Sequence, residues 1–336
     1  MGIFTRKQPK KQDTPGLTDE ASNAGGANTK RFPIKAGESI ENYLIEGVIG
    51  GGGFSIVYRA FDATLGESVV LKEYFPNLLS VRGENNEIEP ISVKKKSAFD
   101  VGMQQFFAEA HALSKIAHPN VINIINVFRS NNTAYMVSKL QPGKDLRWMI
   151  KRCQGDLDQG FIQKVMPPII SGVDMLHDSG ILHLDIKPAN ILLRTEGGPL
   201  LLDFGASKTM SRQERFSSFQ TLTPGFAPPE QHHKKELGPG SDIYAIGATI
   251  YACVTGRPPP TSLKREQKER ELKLKGAEKN VSLSVIEALK WALELEIDKR
   301  PRSISEFANL LMEDSDWGSY DAFKEHLERT YKLSPK

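Results

Sequence analysis

The chain has 336 residues, more than one average domain, and 39% of them are hydrophobic, which is ample for a core. A formal net charge of +3 is too small to argue for nucleic acid as a partner, and the two cysteines, Cys153 and Cys253, have no metal-binding spacing and suit a reducing compartment. No apolar run approaches a membrane span, no secretory signal is visible, and the start Met-Gly-Ile-Phe-Thr-Arg has no Ser or Thr at position six, where myristoylation asks for one. The expectation is a soluble, cytoplasmic protein, with export lacking a cleaved signal left open.

Residues 1–31 are rich in Lys, Gln, Asn, Gly, Thr and Pro and nearly free of large apolars. They are expected to be a disordered tail carrying a small basic cluster, Arg6, Lys7, Lys10 and Lys11. Leu44, Ile45, Val48 and Ile49 then lead into Gly50-Gly51-Gly52-Gly53-Phe54-Ser55-Ile56-Val57, which reads as strand, tight turn, strand. Glycines there let backbone N–H groups approach phosphate oxygens, although four in a row also suit a flexible hairpin tip. Val69-Val70-Leu71-Lys72 is an apolar strand ending in lysine. Residues 77–100, with Gly83, Asn85, Asn86, Pro90 and Lys94-Lys95-Lys96, read as an inserted hairpin or loop whose charge run is solvated.

Gln104 to Ile116 is helical in pattern, with Phe106, Phe107, Ala110, Leu113 and Ile116 apolar and Glu109 among them. Tyr135-Met136-Val137 is a short strand running into Ser138-Lys139-Leu140-Gln141. From Phe161 to His177 a helical apolar stripe contains Pro167 and Pro168, expected to kink or start that helix. Past Met312, Tyr320, Phe323, Leu327 and Tyr331 share one helical face, which either packs on the body of the protein or docks a partner.

The most informative segment is His183-Leu184-Asp185-Ile186-Lys187-Pro188-Ala189-Asn190, followed by Asp203-Phe204-Gly205. It orders a candidate base (Asp185), a cation (Lys187), an amide ligand (Asn190) and a carboxylate ligand (Asp203). Phosphoryl transfer asks for little covalent work. It needs metal ions held by hard oxygens, cations on the phosphates and an acceptor hydroxyl in line.

These two segments resemble the catalytic and metal-binding loops of protein kinases, and the resemblance runs from about Tyr43 to about Leu311. It implies an α+β, two-lobed fold: a kinase domain over 32–312, with a small β-rich lobe over about 40–138 and a large, mainly helical lobe over about 142–312. A helical extension would fill 313–336. It also implies ATP and Mg²⁺ (or Mn²⁺) as cofactors. Gly50, Gly51, Gly52, Gly53, Phe54 and Ser55 would cover the phosphates, and Lys72, ion-paired with Glu109, would contact them. Ser138 would guard the back of the pocket, and the backbone of Lys139 and Gln141 would bond the adenine edge. Val57, Val70 and Leu192 would be its walls. Asp185 and Lys187 would be catalytic, Asn190 and Asp203 would hold the metal, and His183 would only pack.

Two later stretches resemble the parts of the family that receive polypeptide substrates. Thr223-Pro224-Gly225-Phe226-Ala227-Pro228-Pro229-Glu230 matches the end of an activation segment, with Glu230 expected to pair with Arg300. Ser241-Asp242-Ile243-Tyr244-Ala245-Ile246-Gly247 opens an apolar helix, with Asp242 expected to brace the catalytic loop. Lys187, TPGFAPPEQ and LKEYFP look most like bacterial Ser/Thr kinases, so protein serines and threonines are the expected acceptors. Ser207, Thr209, Ser211, Ser217, Ser218, Thr221 and Thr223 are candidate autophosphorylation sites. Four positions depart from the pattern: Ser55 replaces a glycine, Val70 an alanine, Pro228 an alanine and Leu184 an arginine. Without that arginine a loop phosphate loses its receiver, so activity is expected not to require one. Two rivals stay open: a nucleotide-responsive scaffold that transfers nothing, and a small-molecule kinase, which Glu230, Arg300 and Asp242 disfavour.

Overall fold

The computed structural model describes residues 32–204, 208–209, 222–268, 272, 274, 277–331 and 333. The basic cluster Arg6, Lys7, Lys10 and Lys11, the glycine Gly205, and the hydroxyl residues Ser207, Ser211, Ser217, Ser218 and Thr221 lie outside the described residues.

Period-two burial builds the small lobe. Strands β1 (Ser39–Ile40), β2 (Tyr43–Gly51), β3 (Ser55–Asp62) and β4 (Glu67–Tyr74) are followed by a short antiparallel pair, β5 (Ser80–Arg82) and β6 (Ile88–Pro90). Helix α1 (Val93–Leu113) and strands β7 (Ile124–Ser130) and β8 (Thr133–Lys139) complete the lobe. The large sheet is antiparallel in the order β1-β2-β3-β4-β8-β7. Along β3, Ile56, Tyr58, Ala60 and Asp62 are buried in alternation, as a half-covered sheet requires.

Residues 77–100 therefore hold the β5–β6 pair and also the first turns of α1. That helix starts well before the sequence pattern suggested, because Phe99 and Met103 extend its apolar stripe toward the N-terminus. Gly102 lies inside this helix where the packing is tight: a Cβ there would overlap the Tyr74 hydroxyl.

The large lobe begins with β9 (Gly143–Asp145), α2 (Leu146–Cys153) and α3 (Gln159–Asp178). Helix α3 runs through Pro167 and Pro168 and starts at Gln159, where the Asp158 carboxylate accepts the Phe161 N–H at 2.8 Å. A side-chain cap, and not a proline, therefore starts this helix. Short strands β10 (Ile181–Leu182), β11 (Ile191–Arg194), β12 (Pro199–Leu201) and β13 (Lys208–Thr209) form a β12-β11-β9 sheet and a β10-β13 pair. Helices α4 (Pro229–His233), α5 (Pro239–Thr255), α6 (Ser262–Lys268), α7 (Leu283–Ala292), α8 (Ile304–Met312) and α9 (Tyr320–Tyr331) follow.

Helix α5 is buried from Ser241 to Val254 and is the core around which α3, α7 and α8 pack. Helix α9 buries Tyr320, Phe323 and Leu327 against α3 and α8, while Tyr331 stays 53% exposed. Lys324 fastens it to α3 by donating to Asp174 Oδ2 at 2.6 Å. Among the described residues, no helix is long and apolar enough to cross a membrane.

Candidate functional site

The loop between β10 and β11 is shaped by one carboxylate. Asp242, in the first turn of α5 and fully buried, accepts the backbone N–H of His183 at 2.9 Å and of Leu184 at 2.7 Å. His177 Nε2 lies 2.8 Å from the same group. Burial alone would raise the Asp242 carboxyl, but the His177 contact and the Leu184 amide outweigh it and hold it below its ordinary range. Leu184 sits at φ +62°, a left-handed conformation that costs a non-glycine residue about 1–2 kcal/mol. The Asp242 bond to its N–H, and a 2.9 Å bond from Gln231 Nε2 to its carbonyl, keep it there. Leu184 therefore fills the departure from the family pattern as a buried backbone pivot.

Asp185 follows this pivot. Its Oδ2 accepts from Lys187 Nζ at 2.8 Å and from Asn190 Nδ2 at 3.1 Å. Its Oδ1 accepts from the Thr223 hydroxyl at 3.0 Å, and Lys187 Nζ donates to the same Thr223 oxygen at 2.9 Å. Asp185, Lys187 and Thr223 thus close a triangle. Sequence reasoning named Thr223 as part of its segment and as a candidate phosphosite but missed this role. The available signal was a hydroxyl residue directly before Pro224 at the head of that segment. Asn190 ends the turn Pro188–Asn190, and its Nδ2 also donates to the Asp185 carbonyl at 2.9 Å.

Asp203 takes φ +54°, which aspartate tolerates, and its Oδ1 accepts from Lys72 Nζ across the lobes. The expected Lys72–Glu109 ion pair is corrected here: Lys72 makes its contact with Asp203, and Glu109 acts on it through space. Two carboxylates compete for one ammonium, and the one in hydrogen-bonding contact dominates. Burial opposes the Lys72 charge, but Asp203 in contact and Glu109 and Asp185 at longer range hold it above the ordinary lysine range. His183 packs its ring on Phe204 at 4.6 Å, and burial lowers its basicity so that the ring stays neutral.

The register of the large sheet places the expected nucleotide residues. Val57 pairs with Lys72, and Val70 with Ser138, so Val57, Val70, Lys72 and Ser138 share one face. Ser138 is buried at the end of β8, Lys139 is exposed beside Glu67 at 3.8 Å, and Gln141 is half-buried just beyond. Leu192 comes from β11 in the other lobe. The run Gly50–Ser55 joins β2 to β3, with Gly52 N–H bonded to the Ser55 carbonyl at 3.0 Å.

Glu230 and Arg300 meet as expected, with two bonds of 2.7 and 3.0 Å and both side chains buried. Ser241 Oγ donates to Glu230 Oε1 at 2.8 Å, and the Arg300 guanidinium lies 4.9 Å from the centre of the Tyr244 ring.

Comparison with known proteins agrees with this geometry. A model of the protein kinase domain matches residues 43–314. The solved structure of PpkA-294 in its apo form is similar to this chain at a TM-score of 0.73 and 32% identity, covering 83% of this chain and 99% of that one. A probable serine/threonine-protein kinase of Corynebacterium efficiens is 28% identical over 228 residues, covering 65% of this chain and 31% of that protein. The hormonally up-regulated neu tumor-associated kinase homolog A of Xenopus laevis is 28% identical over 285 residues, covering 82% of this chain and 38% of that protein. The chain thus spans about a third of the length of these two curated relatives. The two lobes, the loop braced by Asp242 and the matched 43–314 span agree, and the chain belongs to the protein kinase domain family.

Proposed function

We propose that this chain is an ATP- and Mg²⁺-dependent serine/threonine protein kinase that moves the γ-phosphoryl group of ATP to protein hydroxyls, its own included. The observation that carries this reading is the Asp185–Lys187–Thr223 triangle. Asp185 is aimed by two donors on one side and a hydroxyl on the other, so an incoming serine or threonine hydroxyl meets a fixed acceptor for its proton. Lys187, bonded to the same carboxylate, neutralises charge on the phosphoryl group as it passes. Lys72 brings a second cation from the small lobe. The buried Glu230–Arg300 pair supports a polypeptide acceptor, because it stiffens the segment that starts at Thr223.

The donor set suits a magnesium ion. Asn190 uses its amide nitrogen twice within the loop, which presents Oδ1 as its ligand atom, and the Asp203 carboxylate is 48% exposed to the cleft. Both are hard oxygen donors. Among the described residues no cluster of three His, Cys, Asp or Glu side chains could hold a metal alone. Such a pair fits an ion that draws its remaining oxygens from phosphates and water. Bound there, Mg²⁺ would neutralise the phosphates while the side chains do the positioning.

The test is phosphate transfer from labelled ATP, with Mg²⁺, to the protein and to a generic basic protein. Asp185→Asn is expected to lower turnover by at least ~10²-fold while nucleotide binding is nearly kept. Asp203→Ala is expected to weaken metal–nucleotide binding as well. Because Leu184 replaces the phosphate-receiving arginine, phosphatase-treated enzyme is expected to retain its rate. Tight nucleotide binding without transfer, in wild type and variant alike, would replace this reading with the scaffold.

A further inference from the structure

Glu73 follows Lys72 on β4, and the period of the strand sends the two side chains to opposite faces. Lys72 shares its face with Tyr74, whose ring packs on Phe99 and Phe106 of α1 at 5.5 and 5.7 Å. Glu73 is fully buried on the other face. Its carboxylate accepts from the Tyr58 hydroxyl at 2.8 Å, the Tyr135 hydroxyl at 2.8 Å, and both terminal nitrogens of Arg82 at 3.0 and 2.5 Å. Arg82 belongs to β5 of the inserted pair. It also donates to the Phe32 carbonyl at 2.7 Å and the Asn86 carbonyl at 2.9 Å, and it stacks 4.8 Å from the Phe75 ring centre. Ile34 N–H reaches the Tyr58 hydroxyl at 3.2 Å.

One buried carboxylate thus gathers the insertion and the strands β3, β4 and β8, while Tyr58 and Arg82 tie in the segment before β1. A solvated surface loop has no use for such an arrangement, since a buried charge is tolerated only when paired and fully hydrogen-bonded. Phosphoryl transfer as derived above uses neither Glu73 nor Arg82. The root of the insertion makes a second link. Asn77 N–H donates to the Gly53 carbonyl at 2.9 Å, and Phe75 N–H to the Phe54 carbonyl at 2.8 Å, so the tip of the glycine loop is held from below the hairpin.

We propose that the β5–β6 hairpin is a brace for nucleotide binding: Arg82 on Glu73 sets the position of Lys72, and Asn77 on Gly53 sets the position of the glycine loop. Glu73, Arg82 and Asn77 are positioning residues that act through the strand and the loop. This rests on the ATP reading above for its kinetic readout, but not for its structural one. Loosening the brace weakens ground-state and transition-state contacts to the phosphates alike, which raises KM for ATP and leaves kcat nearly unchanged.

The experiment compares wild type, Arg82→Met, Arg82→Lys and Asn77→Pro by steady-state kinetics and by hydrogen exchange of the nucleotide-free proteins. Arg82→Met is expected to raise KM for ATP about tenfold, with kcat and KM for the acceptor within about twofold. Arg82→Lys is expected to fall between, since an ammonium restores charge without the fork. Exchange is expected to quicken at Gly52–Ser55 and to stay unchanged in α5 and α7. Asn77→Pro deletes the N–H bonded to Gly53 and leaves the buried pair intact, so it reads the brace even if Arg82→Met fails to fold. A fall in kcat at unchanged KM, with unchanged exchange in the glycine loop, would overturn the proposal. If wild type transfers no phosphate, the kinase reading fails, and the exchange at Gly52–Ser55 still decides the brace.

Discussion

Each lobe contains a carboxylate–guanidinium pair with both side chains buried, Glu73–Arg82 in the small lobe and Glu230–Arg300 in the large one. The chemistry is the same and the surroundings differ. Arg300 spends its remaining donors on the carbonyls of Glu294, Gly240 and Leu295, so its pair locks helix ends and turns to one another. Glu73 is surrounded by tyrosine hydroxyls from two neighbouring strands, so its pair locks a hairpin to the sheet that carries Lys72. A buried ion pair is weak evidence for stability, because desolvation offsets much of the attraction. It is better evidence for a required geometry, and here the two lobes require different ones: helix ends and turns joined in the large lobe, and a hairpin joined to the strand of Lys72 in the small one.

The hardest blow to this comparison is Arg300→Leu. It leaves Glu230 buried and unpaired and is expected to cost about 3–5 kcal/mol in denaturant unfolding. An unchanged midpoint would mean that the large-lobe pair is not structural. A double-mutant cycle sharpens the small-lobe half. Glu73→Gln combined with Arg82→Met removes both charges and is expected to cost less than the sum of the single changes, with a coupling of up to about 3 kcal/mol. Additive values would show that the two groups do not depend on each other.

His118 offers a third way of burying a titratable group, bonded only to neutral partners. Its Nε2 lies 3.2 Å from Ser171 Oγ, and its Nδ1 accepts the Asn120 N–H at 3.2 Å. Burial, and secondarily the Lys324 charge, push it down to about 4. Against an unfolded value of about 6.5, the unfolded chain binds the proton more readily between those two values. Stability is therefore complete above about pH 6.5 and falls as the pH drops toward 4, by about 2 kcal/mol at pH 5. His118→Gln is expected to flatten this segment of the pH–stability curve, and an unaltered slope would refute the assignment. The smallest effect is expected at Lys324–Asp174, where the lysine is 31% exposed. Lys324→Met is expected to cost about 1 kcal/mol or less, and raising the salt should shrink the difference.

Legibility in the sequence followed the same line between the lobes. The two-lobed fold was readable because Gly50–Val57, Lys72, His183–Asn190 and Asp203 stand in the order of the protein kinase family they resemble, and the family's fold came with that resemblance. The Glu230–Arg300 pair was readable because both residues sit inside recognisable phrases. The Glu73–Arg82 pair was not. Its arginine lies in an insertion with no spacing rule, and only the parity of β4 and the return of β5 bring the two together. The start of α1 was hidden by the run Lys94-Lys95-Lys96, which reads as solvated charge on an inserted loop and yet lies in the first turns of the helix. Thr223 was visible as a residue but not as the third corner of the triangle.

By itself the sequence determined which candidate groups stand in which order: Asp185, Lys187, Asn190 and Asp203, a lysine at the end of a strand, and a run of glycines, an order that resembles the protein kinase family. Residue type and order suffice for that, since both are written in the chain, and the resemblance supplies their expected roles. Only the tertiary structure decided which groups bond. It paired Lys72 with Asp203 in place of Glu109, held Leu184 at a positive φ, and set Arg82 on Glu73. Those choices are competitions between partners on different elements, and burial, strand parity and the packing of one lobe on the other settle them.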